Sequence, residues 1–596
     1  LEQLMASSRF FAPFLAAVAL VCGAAATASP LYSDGFEGFP EGPASDAEAS
    51  RFLSQATFGS TLTEITRLRS LGYSAWFTQQ LGRPASLQLP FLDQLMTVNP
   101  SVVWQDKRND IWFRNVLSGD DQLRQRMAFA LSQILVVSDQ NGSVEGNPHA
   151  LAHYHDMLSQ NAFGNYRTLL ENVTLHPVMG HYLSMFKNRK PDDAGNIRPD
   201  ENYAREIMQL FSIGLVRLNA NGTVVDGDLA VAGIQPIPTY TQDTIRGFAN
   251  VFTGWSWSTC VPPVAAETAG NFNWWQWTYC QPGPEGVDGR LAPGWRQPLK
   301  PWGEGTSFGA IYHAASGSKQ LLNYPGVALP SGVLAAGGLA RSNMAAALDN
   351  VFNHPNLGPF FGRLLIQRFT TSNPSPAYVG RVAAAFDNNG SGVRGDLGSV
   401  LRAILMDPEA RNPAQAPANA GKLREPLLRV TSLWRALDAR SSDGAVRDWP
   451  DQYGAQSVLS SPTVFNYYLP NYQLPGEIAS LGLYSPEFQI TNDTYITRLT
   501  NEIGAKVFWA WRGNNLGSWD PVQVDLARDI GIANDANALV DRYNLLFMGG
   551  RMSTQMRTVL VNHLNGMPAN NIGERRQRVQ DALWLILTSP EYVVEK

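Results

Sequence analysis

Cysteine is scarce in this chain, with three among 596 residues. Cys22 falls in an N-terminal apolar run, which leaves Cys260 and Cys280. Two thiols without histidine partners cannot build a zinc site, and they rule out a disulfide-dense scaffold; a single Cys260–Cys280 disulfide is the reading for an exported chain. Charge is also sparse, at 16% of residues with a net −5. No basic field is present to attract nucleic acid or an anionic membrane face, so nucleic-acid partners are excluded. The run FFAPFLAAVALV after Arg9 is too short to span a bilayer, and the mature chain is expected to hold no transmembrane segment. There is no GxxxxGK[ST] loop, no dinucleotide fingerprint and no HExxH. Fixed-period repeats and an alternating strand–helix rhythm are missing too, which removes a solenoid or a parallel α/β sheet.

What is present is an apolar content of 44%, enough for a large core, over a length that points to two packed lobes. The N-terminal run has the dimensions of a signal-peptide core, and Ala26-Thr27-Ala28 fits cleavage after Ala28, with Met5 as the start. This predicts a signal peptide over 1–28, a turn-rich linker over 29–45, and a periplasmic or secreted protein. From 46 to 255 apolar residues recur at three and four, as in Leu123, Met127, Ala130, Leu131 and Ile134, which predicts a helical lobe. Over 256–341 the periodicity gives way to Gly, Pro and aromatics, an irregular Trp-rich insert. Helical spacing returns over 342–596, a second helical lobe broken by SPTVFNYYLPNYQLPG. The expected fold class is mainly α.

Several blocks occur together and in order: RFLSQATFGSTLTEITRLRSLGYSAW, NAFGNYRTLLENVTLHPVMGHYLSM, PDENYAREIMQLFSIGLVRLN, YTQ at Tyr240 with FTGW at Phe252, NHPNLGPFFGRLLIQRFTTSNPSPAYV, GVRGDLGSVLRAILMDPEAR, KLREPLLR and LTSPEYVV. With these blocks the chain resembles the bacterial family known as domain of unknown function 1800, from about Arg51 to Val594. The resemblance implies an exported, largely helical protein; it supplies neither a reaction nor catalytic residues.

Candidate chemistry therefore has to come from the residues. In PDENYAREIMQLFSIGL, Asp200 can cap a helix, Glu201 suits its positive end and Gly214 can end it. Tyr203, Ile207, Leu210 and Phe211 share one face; Asn202, Arg205, Glu206 and Gln209 share another. Either that polar stripe meets water, with Glu201 and Arg205 paired at i, i+4, or it lies between helices. In the second case Glu206 is a proton acceptor or metal ligand and Arg205 an anion clamp.

Five of the eight histidines, His149, His153, His155, His176 and His181, fall just upstream. His149 and His153 have the i, i+4 spacing that lets two imidazoles reach one divalent metal; capping or a satisfied core hydrogen bond is the alternative for each. His176, before Pro177, fits a helix C-terminus or a catalytic partner for Glu206.

The insert and its leading edge gather seven of the sixteen tryptophans. Trp275 and Trp277 would share a face of an extended segment and form an aromatic platform, pinned by Cys260–Cys280, for sugar rings or other flat apolar ligands, with Tyr240 as a further substrate-binding candidate; a small satellite core is the other reading. Three further motifs have weak contexts. GTSFG matches G-x-S-x-G at Ser307 but lacks the preceding strand. His313 and Lys319 loosely match a His and Lys of the family, with Ala314 and a longer spacing departing from it. DNNGSGVRGDL, from Asp387, starts like a calcium loop but carries Gly398 where the bidentate Glu belongs, so a turn is expected. Two functions fit: an exported, hydrolase-like enzyme acting on an extracellular polymer or its fragments, or a non-catalytic protein that binds glycan or an envelope protein.

Overall fold

The computed structural model describes residues 41–99, 102–260, 291–305, 311–516 and 520–596. Among these the chain is mainly α-helical, with 24 α-helices and three two-stranded antiparallel ribbons. The helix starts follow the local chemistry of the sequence. Ser45, Thr61, Asn147, Asn165, Ser375, Asp396 and Ser553 each accept a first-turn backbone N–H, and Pro148, Pro177, Pro376 and Pro426 fill first positions where no N–H is needed.

The final third matches its apolar spacing closely, with helices Asp493–Phe508, Ala536–Met548, Thr554–Asn565 and Ile572–Leu587. The helical rhythm expected up to 255 is interrupted between Tyr182 and Asn202 and again after Gln209. Bridges Val216–Pro238, Leu218–Val224 and Asp226–Pro236 fold the later stretch into an irregular ribbon, driven by turn residues rather than periodicity. Within 256–341 the described residues form short ribbons, Trp255–Ser256 with Lys300–Pro301 and Lys319–Gln320 with Val333–Leu334. The second rests directly on the Gln242–Val251 helix, because a side chain at Gly247 would collide with the Gln320 carbonyl. After Asp387 the Asn388 and Asn389 side chains accept backbone N–H groups of Gly390, Ser391, Gly392 and Val393, which makes the segment a side-chain-braced turn.

One apolar cluster runs from Ala49 to Tyr592 and draws on both helical stretches. Edge-on aromatic contacts Phe58–Trp112, Trp112–Phe113 and Phe113–Trp434 carry it from the N-terminal helices to the Pro426–Ala436 helix. Gly59, at φ +133°, lets the chain pass 2.6 Å from where its Cβ would meet Ser432 Cα. Arg435 locks the same crossing by donating to the carbonyls of Gly59, Val116 and Leu117 and pairing with Glu64 at 2.7 Å.

A charged network lies in this core. Lys422 Nζ sits 3.1 Å from Glu487 and 3.6 Å from Glu425, and donates to the carbonyls of Gln367 and Arg368. Gln133 and Gln456 donate to Glu425 Oε2 at 2.9 and 2.7 Å. Burial pushes the Glu425 carboxyl up, but Lys422, Arg126, Arg368 and the Gln456 hydrogen bond outweigh it and hold the group at about 2.

Candidate functional site

The Asn202–Gln209 helix is placed by its neighbours on both sides. Asn188 clamps the turn before it, donating to the Asp200 carbonyl at 3.0 Å and accepting from the Asp200 N–H at 2.8 Å. Asp200 does stabilise the helix start, through Oδ1 to the Asn202 N–H, although the helix begins one residue later than a cap at Asp200 implies, with Glu201 at the boundary. Helical bonding ends at Gln209 and a wider turn reaches Gly214, whose positive φ of +71° closes it. Tyr203, Ile207 and Phe211 enter the core, and the Tyr203 hydroxyl meets Thr174 Oγ1 at 2.6 Å. Leu210 is half-buried.

The polar stripe divides. Asn202 is exposed, and Arg205 is half-exposed and pairs with Glu201 at 3.2 Å, which in turn accepts from Gln242. Glu206, on the inner edge, is only 5% exposed, and its Oε2 has no hydrogen-bond partner. Burial pushes this carboxyl up to about 7, with Arg205 pulling weakly the other way. Two phenols share its surroundings. Tyr182 is pushed up to about 12 by burial and by the negative charge of Glu206, and Tyr240 is raised by burial and Glu206 together. Tyr240 is fixed by donating to Gln209 Oε1 at 3.0 Å.

The histidines separate into distinct environments. His153 Nδ1 lies 2.9 Å from His176 Nε2, while His176 Nδ1 accepts the Val178 N–H at 3.2 Å. That network assigns the His176 proton to Nε2, donated to His153, and leaves the His153 proton on Nε2. Burial lowers both rings, so the pair is neutral. His176 therefore does not act as a cation at a helix C-terminus; it caps the start of the Pro177–Tyr182 helix as an acceptor.

His149 does not join His153. Its Nε2 points to Asp93 at 3.7 Å, and Asp93 is held by Arg296 through two bonds of 2.9 and 2.7 Å. Among the described residues no group of three or more His, Cys, Asp or Glu side chains is placed to hold a metal ion. Asp156 accepts the N–H groups of Gln88 and Leu89 and is pushed up to about 7 by burial, whereas His155 is buried and held down at about 3.

The described tryptophans of the insert and its leading edge, Trp255, Trp257, Trp295 and Trp302, are core. His181 stacks on Phe186 at 4.1 Å and lies 5.0 and 4.9 Å from Trp257 and Trp295, all largely buried. Trp275, Trp277 and Cys280 lie outside the described residues, as does Ser307; Cys260 is buried. His313 is a structural ring, with Nδ1–H donating to the Thr253 carbonyl at 3.0 Å and Nε2 accepting from Asn343 at 2.8 Å. Lys319, nearby, is buried with its amine lowered by desolvation.

Sequence reasoning named Glu206, Arg205, Asn202, Tyr240 and His176 and paired His153 with His149; it did not anticipate the His153–His176 contact and missed Tyr182. Its position, six residues after His176, carried no periodic signal linking it to Glu206. The chemistry this arrangement allows is proton exchange: a carboxyl that changes charge near neutrality, with a buried, unpartnered oxygen and two phenols that respond to it.

The family model described as "Protein of unknown function (DUF1800)" matches residues 51–594. No curated protein and no solved structure matches the chain.

Proposed function

The chain belongs to the DUF1800 family, and we propose that it is an exported, hydrolase-like enzyme acting on an extracellular polymer or its fragments, with Glu206 as general acid–base. One observation carries this reading: a buried carboxyl with an unpartnered oxygen, poised at about 7. A surface carboxylate does not gain that property, and a structural one is normally paired. Tyr182 and Tyr240 hold or relay the proton, and Arg205, free on one side of its Glu201 pair, orients an anionic substrate group at the rim. His153 and His176 form a neutral pair in which the Nε2–H of His153 serves as a donor to substrate.

Export through the 1–28 segment and a Cys260–Cys280 disulfide belong to the same proposal, supported by the apolar run, the Ala26-Thr27-Ala28 box and the spacing of the two thiols. The test is release of soluble reducing ends or free amines from isolated envelope polymers by the purified protein. Glu206→Gln should abolish release while the unfolding midpoint is kept or raised. Equal release by the variant sinks the assignment. Retention on insoluble glycan without turnover, lost on Trp275→Ala, would instead support the non-catalytic binding role.

A further inference from the structure

A cavity of about 640 Å³ lies well away in sequence from Glu206, between the end of the Ala536–Met548 helix and the ribbon of Lys422–Leu423 with Val594–Glu595. Its volume is in the range that holds a small ligand. Arg51, Arg424 and Arg551 line it, with Ser54, Phe547 and Glu595. Two acidic groups reach the walls. Glu591 is committed to the N–H and hydroxyl of Ser553, at 2.8 and 2.6 Å. Glu595 takes the Ser54 hydroxyl at 3.0 Å and stands 4.0 Å from Arg424, so it offsets one guanidinium of three.

The arginines are incompletely used. Arg424 is 94% buried at a relative exposure of 6%; its Nη2 reaches only the Phe547 carbonyl at 3.5 Å and Glu595, and its Nε makes no hydrogen bond. Its plane is held over Tyr592 at 4.7 Å, which fixes its direction without satisfying its donors. Arg51 donates to the Arg411 carbonyl at 3.3 Å, and its Nε is likewise buried without a partner. A buried guanidinium with idle donors is costly unless an acceptor meets it. Crowding is visible in the charge balance: burial, Arg411 and Arg551 together push the Arg51 guanidinium down to about 9.

We infer that this cavity is an oxyanion site, in which Arg51, Arg424 and Arg551 hold the phosphate or sulfate group of a small ligand. Planar guanidiniums present paired donors that match a tetrahedral oxyanion, and three of them against Glu595 and a Glu591 already tied to Ser553 leave positive charge for such a group to meet. Phe547 gives the site an apolar wall for the remainder of the ligand. The site does not rest on the Glu206 reading.

The experiment titrates the full chain with inorganic phosphate and, separately, sodium sulfate, at ionic strength matched with chloride, following heat of binding and unfolding midpoint. Saturable binding with a raised midpoint is expected. Arg551→Gln, at an exposed position that leaves the core intact, should weaken it about tenfold or more, as loss of a charge-assisted pair does. Glu206→Gln should leave it unchanged. Preference for phosphate over sulfate, or the reverse, distinguishes the two ester classes. The inference is overturned if neither anion does more than chloride, or if Arg551→Gln and Arg51→Gln, both confirmed folded, bind as the parent does.

Discussion

Glu206 and Glu425 are both buried glutamates, at 5% and 0% exposure, yet burial leaves one at about 7 and the other at about 2. The difference is partnership. Glu425 meets Lys422, Gln133 and Gln456, with Arg126 and Arg368 close behind, so its charge is the cheapest state available. Glu206 has Arg205 at its flank, but that guanidinium is tied to Glu201 in water and screens poorly toward the interior. The first carboxyl is a fixed structural charge. The second is undecided near neutral pH, the property that chemistry requires and stability does not.

The contrast breaks first in mutation. Glu425→Ala leaves Lys422, Arg126 and Arg368 buried without their carboxylate and should cost about 3–5 kcal/mol in urea unfolding. Glu206→Gln at pH 8 should cost nothing or stabilise, since it removes a carboxylate that the interior disfavours.

The pH dependence has opposite signs at the two residues. Glu206 is raised in the fold above its ordinary 4.5, so its contribution is lost as pH climbs from about 4.5 to about 7. Reduced for the water that still reaches it, the loss should be about 1–2 kcal/mol. Asp156 slopes the same way, so subtracting the Glu206→Gln curve from the parent curve isolates the effect. Glu425 is depressed, so its contribution is full above 4.5 and lost as pH falls toward about 2.

The comparison can also be sharpened by making one region resemble the other. Gln209→Arg places a cation one turn from Glu206 and should lower its titration by about one unit, flattening the slope above pH 5. The smallest effect is expected at Arg205→Ala. Its half-exposed pair with Glu201 should be worth no more than about 0.5 kcal/mol by thermal unfolding, with a slight further rise of the Glu206 carboxyl.

Much of the fold was legible because its signals are local. Caps such as Asn165, proline starts such as Pro426, and apolar spacing in the final third mark helices without reference to anything distant. The 216–238 ribbon was not, because its pairing depends on contacts across the turn. At the site, periodicity placed Glu206 on the polar stripe but could not say which edge of the stripe is buried. Arg205 and Glu206 are adjacent and face different media. The i, i+4 spacing of His149 and His153 was real, but tertiary packing gave each a different partner, Asp93 and His176. The Arg51–Arg424–Arg551 cavity left no trace in spacing, since its members come from segments far apart in the chain, and the i, i+3 spacing of Lys422 and Glu425 gave no hint that Glu487 completes their network.

The most direct measurement is difference infrared spectroscopy of the folded protein across pH, with the Glu206→Gln spectrum subtracted to isolate one carboxyl stretch. A protonated band that disappears with a midpoint near 7 is the predicted result. A carboxyl already ionised at about pH 5, in the ordinary range for an exposed glutamate, would contradict it and return the Asn202–Gln209 helix to a purely structural role.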